Sequence, residues 1–367
     1  MVDRIHTPLA EADREPFWLA TADRPPARDP LEAVVECDLA IVGGGLTGLW
    51  AAVEALRADP ERSVVLLEGE RIAFGATGRN GGFCDSSITH GLANGLSRFP
   101  EEIERLEELG LENLAGIAAM IDELGIDARY EPVGVLNVAT REHEVADLEE
   151  HAEELRRFGH EAEWLDREAV RAEIDSPTYL GGVWQKSGVG ILDPARLAWG
   201  LAAAAESLGA RIYEATPVLG TELDGAGVSL RTLGGRIRAR RAVLATSAFP
   251  PLVRSIRRYI VPVYDYVLVT EPLPAEQRTA VGWKNRQGAA DSGNQFHYYR
   301  LTSDDRILWG GYDAVYNFRN ASARTSTSGR RRSRCWPGTS SPPSRSSRES
   351  GSRTGGAAPS IRVAVSA

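Results

Sequence analysis

The sequence predicts a mixed α/β fold in which a parallel-sheet, nucleotide-binding domain is interleaved with a domain built on an antiparallel sheet. Three observations lead to this prediction. A buried strand, a glycine-rich turn, a helix and a second buried strand follow one another within residues 36–82. A further helix and several strands follow in residues 186–255. Residues 259–272 alternate apolar and polar side chains, and residues 295–312 form a hairpin pattern with its turn at residues 303–305, as in an antiparallel sheet.

The first strand leads into a turn that contains three glycines. The apolar run Leu39–Val42 suits a strand that is buried on both faces. The glycines that follow it, Gly43, Gly45 and Gly48, have G-x-G-x-x-G spacing. Gly43 lets the chain turn tightly, Gly45 lets the backbone approach a pyrophosphate, and Gly48 lets helix and strand pack closely.

The next helix and strand complete a dinucleotide-binding pattern. The helix begins near Leu46 and Thr47, where its N–H groups and positive dipole end can face phosphates. The second strand, Val64–Leu67, ends at Glu68 and Gly69, and Glu68 can accept hydrogen bonds from ribose hydroxyls. Strand, glycines, helix, strand and acid in this order indicate a Rossmann-type site. The alternative is a glycine-rich turn in another kind of α/β protein.

A second glycine-rich loop, GATGRNGG at residues 75–82, follows the ribose acid directly. This loop resembles that of the D-amino acid oxidase superfamily, and most of all its branch of gamma-glutamylputrescine and glycine or sarcosine oxidases. The resemblance implies an FAD cofactor and a Rossmann-type FAD-binding domain interleaved with an antiparallel-sheet substrate domain. It also implies that Val218 lies by the adenine, while Ala245 and Thr246 return the chain to the FAD domain. The loop residues that it implies touch the flavin are Thr77, Gly78, Arg79, Asn80, Gly81 and Gly82.

The same patterns divide the chain into six segments. In order they are an amino-terminal arm, the first part of the FAD domain, the first part of the substrate domain, the second part of the FAD domain, the substrate-domain sheet and a tail. Their predicted bounds are 1–35, 36–99, 100–185, 186–255, 256–320 and 321–367.

Four residues are candidates for contact with the substrate or for catalysis. His90 lies in the predicted polar loop 83–99 and is interpreted as a flavin or substrate contact, with a surface or capping histidine as the alternative. His297, Tyr299 and Arg300 lie on the first strand of a hairpin that is expected to cover the flavin. Arg300 could bind a substrate carboxylate through a bidentate fork. The neighbouring Tyr298 is interpreted as a core residue.

Four further expectations concern the remaining elements. An amphipathic helix starts at Pro100, and its many glutamates are interpreted as a solvated face. Residues 130–138 suggest a strand pair that turns at Gly134. Asp166 and Asp193 are positioned to cap the helices that follow them.

The resemblance implies a reaction at a C–N bond of an amine or amino acid, with hydride transfer to FAD, an imine product and reduction of molecular oxygen to hydrogen peroxide. Related oxidases use a lysine near the flavin, but Trp309 stands in the matching strand, so oxidase and dehydrogenase both stay open. A different class, an NAD(P)H-dependent flavin reductase or monooxygenase, would need a second G-x-G-x-x-G context. The third possibility is an inactive, truncated flavoprotein.

Composition limits the partners and the location. Residues 1–320 carry 33 basic and 50 acidic side chains, a net charge of −17, which argues against nucleic acid. No apolar run approaches the length of a membrane span and no signal peptide is recognised, so no membrane association and a cytoplasmic enzyme are expected. The three cysteines lack metal-ligand spacing, and no metal is expected.

The tail differs from the rest of the chain. Residues 321–367 hold 13 Ser, nine Arg and one acidic residue, a composition that predicts disorder. We hypothesise a shifted reading frame, because residues 352–359, back-translated and moved by one nucleotide, can give FTHRWGGA, which resembles a late segment of these oxidases. The rival interpretation is a genuine basic tail that binds an anionic partner.

Overall fold

A computed structural model describes residues 13, 15–223, 225, 227–261, 264–293, 295–315 and 361–366, of which 264, 312–315 and 361–366 are described by backbone alone. The strands, numbered along the chain, are β1 Val34–Val42, β2 Val64–Leu67, β3 Phe83–Asp85, β4 Val135–Ala139, β5 Ala162–Leu165, β6 Gly181–Gln185, β7 Val189–Ile191, β8 Arg211–Tyr213, β9 Gly220–Leu223, β10 Val228–Arg231, β11 Arg236–Leu244, β12 Tyr264–Thr270, β13 Gly288–Asp291, β14 His297–Leu301, β15 Ile307–Val315 and β16 Ile361–Ser366. The α-helices are α1 Leu46–Ala58, α2 Leu92–Arg98, α3 Ile103–Glu123, α4 Glu142–Arg157, α5 Arg167–Glu173, α6 Pro194–Ser207 and α7 Ala275–Val281. Short 3-10 helices lie at Phe17–Leu19, Ala76–Gly78 and Arg254–Tyr259.

The first sheet has six strands in the order β8-β2-β1-β11-β10-β9. The pairs β8–β2, β2–β1 and β1–β11 are parallel, and β10 and β9 continue the sheet in antiparallel pairing. The predicted strand Leu39–Val42 is the buried end of β1, which begins at Val34 because its first half pairs with β11. β2 and α1 lie where the sequence predicts them. The carboxyl ends of β1 and β2 therefore meet at one edge, as in a Rossmann-type domain.

The second sheet has eight strands in the order β16-β12-β15-β14-β13-β4-β6-β5, and it is mostly antiparallel. Val267 and Val269 of β12 belong to the same core as Ile41 and Leu49 of the first sheet and α1. Tyr299 and Leu301 belong to another core that includes Trp283 and residues of α5. Both faces of this sheet are therefore covered, one of them by the nucleotide-binding domain.

Three expectations about local structure were wrong. Residues 83–99 are not one loop, because they contain β3, which pairs with β7, and the helix α2. Residues 130–138 do not form a hairpin, because β4 pairs with β6 and β13 while Glu131 forms an isolated bridge to Ile191. In the tail, β16 pairs antiparallel with β12, which differs from the predicted disorder for residues 361–366. Tail residues 321–360 and 367 lie outside the described part of the chain.

Both helix caps that the sequence predicts are present. The Asp166 side chain accepts hydrogen bonds from two N–H groups of α5, and Asp193 does the same for α6, whose first residue is Pro194. Within the described ranges, no helix is long and apolar enough to cross a membrane, and no three His, Cys, Asp or Glu side chains are grouped to hold a metal ion. The division into six segments stays a prediction.

Candidate active site

The glycine turn between β1 and α1 has the close contacts that its sequence spacing suggests. Gly43 has a φ of +115°, and a Cβ there would lie 2.4 Å from the carbonyl oxygen of Ala245. A Cβ at Gly48 would lie 2.0 Å from the carbonyl oxygen of Gly43. Ala245 N donates to Val42 O at 2.8 Å, so the end of β11 and the following Thr246 lie beside the turn. Side chains at these glycines would push the turn, helix and strand apart.

The amino terminus of α1 is a cradle for an anion. Its N-cap is Gly45, which has no side chain to occupy the free N–H groups of the first turn. Leu46 N donates to Thr77 Oγ1 at 3.2 Å, which ties the helix start to the second glycine loop. A Cβ at Gly45 would meet Thr77 Oγ1 at 3.0 Å and no other described atom within 4 Å, so a ligand can approach the backbone here. The N–H groups of Thr47 and Gly48 add to this positive end.

Glu68 stands at the end of β2, next to the glycine turn. Its carboxylate accepts hydrogen bonds from Gly44 N at 2.6 Å and Glu70 N at 2.9 Å. Burial raises the pKa of Glu68 above its ordinary value, against the opposing effect of these two donors, and the charge of Glu214 adds to the rise. A Cβ at Gly69 would lie 3.7 Å from Pro217, so the segment that contains Val218 runs beside the acid.

The second glycine loop is held together by its own side chains. The Asn80 amide donates to Ala76 O (3.1 Å) and Thr77 O (2.8 Å) and accepts from Gly82 N (2.8 Å). Trp18 Nε1 donates to Asn80 O at 2.8 Å. These hydrogen bonds tie the loop to itself and to the segment that contains Trp18.

Arg79 and Gly78 join the same loop to the residues that precede it. Arg79 Nε donates to Phe74 O at 2.7 Å, and its guanidinium lies over the Phe74 ring at 4.9 Å. A Cβ at Gly78 would lie 2.4 Å from Ala73 O, so glycine is required for this close approach.

The Tyr298 ring, on β14 of the second sheet, lies against this loop. A Cβ at Gly81 would lie 2.6 Å from Tyr298 Cε2, and the Phe83 ring meets the Tyr298 ring edge to face with centroids 5.8 Å apart. A Cβ at Gly310 would lie 2.0 Å from Tyr298 Cζ, so the neighbouring strand leaves room for the ring. The Tyr298 hydroxyl donates a hydrogen bond to the Asp265 carboxylate of β12. Both side chains are partly accessible.

Arg300 lies two residues further along the same face of β14 and is almost fully buried. Its Nη1 donates to Gly82 O at 2.9 Å and to Leu192 O at 2.8 Å. Its guanidinium also lies 5.6 Å from the centroid of the Trp18 ring. Burial lowers the pKa of Arg300 to about 10. This residue joins the second sheet to the glycine loop and to the start of α6.

The cofactor residues that the sequence predicts lie together at this edge, and their chemistry fits FAD. The open glycine backbones and the α1 dipole suit a pyrophosphate, and Glu68 suits ribose hydroxyls. The predicted residues that border this region are Gly43, Gly45, Leu46, Thr47, Gly48, Glu68, Gly69, Thr77, Gly78, Arg79, Asn80, Gly81, Gly82, Val218, Ala245 and Thr246.

Comparison with known proteins decides the family. The profile of DAO, described as FAD dependent oxidoreductase, matches residues 38–353. The chain belongs to this family of FAD-dependent oxidoreductases. Gamma-glutamylputrescine oxidoreductase of Escherichia coli (strain K12) is 33% identical over 318 residues, which cover 83% of this chain and 71% of that protein. Glycine oxidase of Geobacillus kaustophilus (strain HTA426) is 31% identical over 268 residues, which cover 70% of this chain and 68% of that protein.

A solved structure shows the same DAO-family fold. The crystal structure of glycine oxidase from Geobacillus kaustophilus superposes with a TM-score of 0.64 at 24% identity, covering 79% of this chain and 75% of that one. The family, the FAD cofactor and the mixed α/β fold that the sequence predicted are therefore confirmed.

Within this DAO-family chain, the predicted substrate residues of β14 lie differently from the expectation. Arg300 is buried against backbone carbonyls and is not an open fork for a substrate carboxylate. Tyr299 is a core residue whose ring stacks on Trp309 with centroids 4.4 Å apart and whose hydroxyl pairs with Tyr179. His297 Nδ1 lies 2.9 Å from Asp291 Oδ2 on the same far face. Because strand residues alternate, Tyr298 and Arg300 face the loop, and Tyr298, which the sequence assigned to the core, is the partly accessible one of the two.

His90 lies in the turn before α2, with a φ of 61° and an exposed side chain. No described contact joins it to the glycine loops, so its role as a flavin or substrate contact stays a prediction. The sequence also missed a buried polar cluster, in which His160 Nε2 lies 3.0 Å from Glu107 Oε2 and Gln185 Nε2 lies 3.3 Å from His160 Nδ1. Glu107 is one of the glutamates of α3 that were expected to face solvent.

Proposed function

We propose that this FAD-dependent oxidoreductase oxidises the C–N bond of an amine or amino acid, in the space between the glycine loop and the face of the second sheet that carries Tyr298. The contact between Gly81 and the Tyr298 ring carries this proposal, because it places one wall of the second sheet against the end of the cofactor loop. The two curated relatives named above support the substrate class, since both printed names refer to an amino compound.

The chain's own residues would bind and orient the reactants. The α1 terminus and the turn at Gly43 to Gly48 would hold the pyrophosphate, and Glu68 would hold a ribose. FAD, when bound, supplies the hydride acceptor that no protein side chain provides. The rings of Phe83 and Tyr298 would exclude water beside it, and a drier environment favours the neutral, reactive form of an amine.

The visible absorbance spectrum of the purified chain tests this proposal. The protein is saturated with FAD, freed of excess cofactor and mixed anaerobically with a panel of amines and amino acids. We expect a bound-flavin spectrum that bleaches with at least one of them and stays unchanged with NADH or NADPH. A chain that binds no FAD, or that is bleached only by NADH or NADPH, would contradict the proposal.

We also propose that molecular oxygen is the electron acceptor. The printed name of the glycine oxidase relative supports it, although Trp309, at the position where related oxidases place a lysine, stacks on Tyr299 on the far face of the sheet. The test is hydrogen peroxide release during aerobic turnover, compared with turnover on an artificial dye. Turnover on the dye without peroxide would assign a dehydrogenase instead.

A cytoplasmic site of action is part of the proposal. Cys37 and Cys84 are both free thiols, which suits a reducing compartment. Fractionation of the source cells, followed by detection of the native protein, tests it. Recovery outside the cytoplasmic fraction would contradict it.

A further inference from the structure

The amino-terminal arm lies against the second glycine loop. Its 3-10 helix, Phe17–Leu19, buries the side chains of Trp18 and Leu19, which are 6% and 4% exposed. Trp18 Nε1 donates to Asn80 O at 2.8 Å, and a Cβ at Gly78 would lie 2.8 Å from Leu19 Cδ2. The loop is therefore supported by two residues that precede residue 38, where the match to the family profile begins.

Trp18 and Arg300 reach this loop from one side. The Arg300 guanidinium lies 5.6 Å from the centroid of the Trp18 ring, and its Nη1 donates to Gly82 O at 2.9 Å. The carbonyl oxygens on either side of Gly81, those of Asn80 and Gly82, are thus bound by neighbouring donors. In the part of the chain that the structure describes, Trp18 is the only donor to Asn80 O.

The peptide that joins Asn80 to Gly81 turns its N–H group away from the arm. No peptide in the described ranges is cis, and the C=O and N–H of a trans peptide point in opposite directions. Gly81 is buried beside the Tyr298 ring, and none of the described residues accepts a hydrogen bond from its N–H. A buried N–H without an acceptor is unfavourable unless a ligand or an ordered water takes its hydrogen bond.

We propose that Trp18 is a positioning residue for the cofactor, because it holds the peptide between Asn80 and Gly81 so that the Gly81 N–H donates a hydrogen bond to FAD. This inference rests on the proposed function, since it takes the loop to be the flavin site. The indole N–H fixes the carbonyl end of the peptide, and the planar peptide passes that orientation to the N–H at its other end. Trp18 acts through the loop and not by touching the cofactor.

Two matched tryptophan variants test this role. Trp18→Phe removes a buried indole donor to a backbone carbonyl. Trp283→Phe removes the same kind of donor, since Trp283 is 4% exposed and its Nε1 donates to Gln287 O at 2.9 Å, but that carbonyl lies outside the cofactor loops. Both variants should have a lower urea midpoint, because each loses a buried hydrogen bond.

Only Trp18→Phe should weaken FAD binding. We expect its Kd for FAD to rise by about tenfold, the equivalent of one hydrogen bond, while Trp283→Phe keeps the wild-type value. The Kd is measured by titrating the full-length apoprotein with FAD and following the flavin fluorescence. A wild-type Kd in Trp18→Phe, or an equal rise in both variants, would overturn the role of Trp18.

Hydrogen–deuterium exchange tests the Gly81 N–H directly and does not depend on the folding of a variant. Overlapping peptides that differ at Gly81 report the exchange of this amide with and without saturating FAD. FAD should slow its exchange by about tenfold or more in the wild type and in Trp283→Phe, and by less in Trp18→Phe. If FAD leaves the exchange of this amide unchanged in the wild type, the proposed hydrogen bond does not exist and the inference is wrong.

These outcomes separate the inference from the proposed function. If the wild type binds FAD and an amine or amino acid bleaches it, the proposed function stands whatever Trp18→Phe shows. If the wild-type chain binds no FAD, both are wrong.

Discussion

Arg300 Nη1 donates a hydrogen bond to the carbonyl oxygen of Gly82 at 2.9 Å, and so joins the middle of the second sheet to the last residue of the glycine loop. The same nitrogen donates to Leu192 O at 2.8 Å, just before Asp193 caps α6. A single buried cation therefore holds three parts of the fold in register: the sheet, the cofactor loop and a helix of the nucleotide-binding domain. The position of the loop depends on a residue that the sequence suggested for substrate binding.

Replacing Arg300 with methionine should destabilise the protein and weaken FAD binding. Methionine keeps much of the volume but removes the donor to the buried Leu192 carbonyl, at a cost of about 1–3 kcal/mol, and leaves the Gly82 carbonyl with only the hydrogen bond from Leu192 N. The measurements are the FAD-to-protein ratio after gel filtration and the urea midpoint. Arg167→Met, at an exposed arginine of α5, is the control and should change neither. Full FAD occupancy in Arg300→Met would show that the loop does not need this cation.

The sequence revealed which residues of β14 alternate but not which set faces the cofactor. Both faces of the second sheet are buried, one against the nucleotide-binding domain and one against α5 and its neighbours, so apolar side chains occur on both. Hydrophobic alternation cannot distinguish two covered faces. A better signal was Asp265, an acid in the apolar run that includes Val267 and Val269. An ionisable side chain that shares a face with two valines calls for a partner or a function.

Local patterns were more informative than long-range ones. The bounds of β2, the start of α1 and the caps of α5 and α6 depend on neighbouring residues, and the sequence located them. The strand β13, Gly288–Asp291, was missed because its residues, GAAD, have no strand propensity of their own. It forms because β4 and β14 provide partners on both sides, which only the folded chain brings together.

FAD affinity should fall as the pH is lowered through the pKa of Glu68, which burial holds above its ordinary value of 4.5. The ionised carboxylate accepts hydrogen bonds from ribose hydroxyls, and protonation removes this capacity. The stability of the apoprotein should respond to pH in the opposite sense, because a raised pKa means that the folded state favours protonated Glu68. This contribution to stability is present below pH 4.5 and is lost as the pH rises through the pKa of the folded state.

Flavin fluorescence titrations from about pH 5 to pH 8 measure this dependence. Glu68→Gln should bind FAD about tenfold or more weakly at neutral pH and with a flatter pH profile, because the charged acceptor is lost. Glu61→Gln, at an exposed residue that precedes the same strand, should retain the wild-type profile. A wild-type profile in Glu68→Gln would assign the pH dependence to another group.

Two glycine-to-alanine substitutions should have opposite effects on stability. At Gly48 the new Cβ would lie 2.0 Å from Gly43 O, and the resulting shift of α1 against β1 should cost about 1–3 kcal/mol and reduce FAD binding. At Gly116, within α3, no described atom lies within 4 Å of the Cβ position, so alanine should stabilise the helix by about 0.5–1 kcal/mol. Thermal melts of both variants test the pair. A neutral Gly48→Ala would refute the close packing of the turn.

The stability that is lost when Glu107 and His160 are replaced together should be smaller than the sum of the two single losses. Gln185 Nε2 donates to His160 Nδ1, which leaves Nε2 as the protonated nitrogen that donates to Glu107. Replacing either Glu107 or His160 with leucine leaves a buried polar group unsatisfied and should cost about 1–3 kcal/mol, whereas the double replacement should cost less than the sum. Urea unfolding of the two single variants and the double variant gives the coupling.

Arg105→Ala, which removes an exposed ion pair from the same helix, is the control and should leave the midpoint unchanged. Additive losses in the double variant would mean that the two side chains do not stabilise each other, and that other packing holds α3 against the segment between α4 and β5.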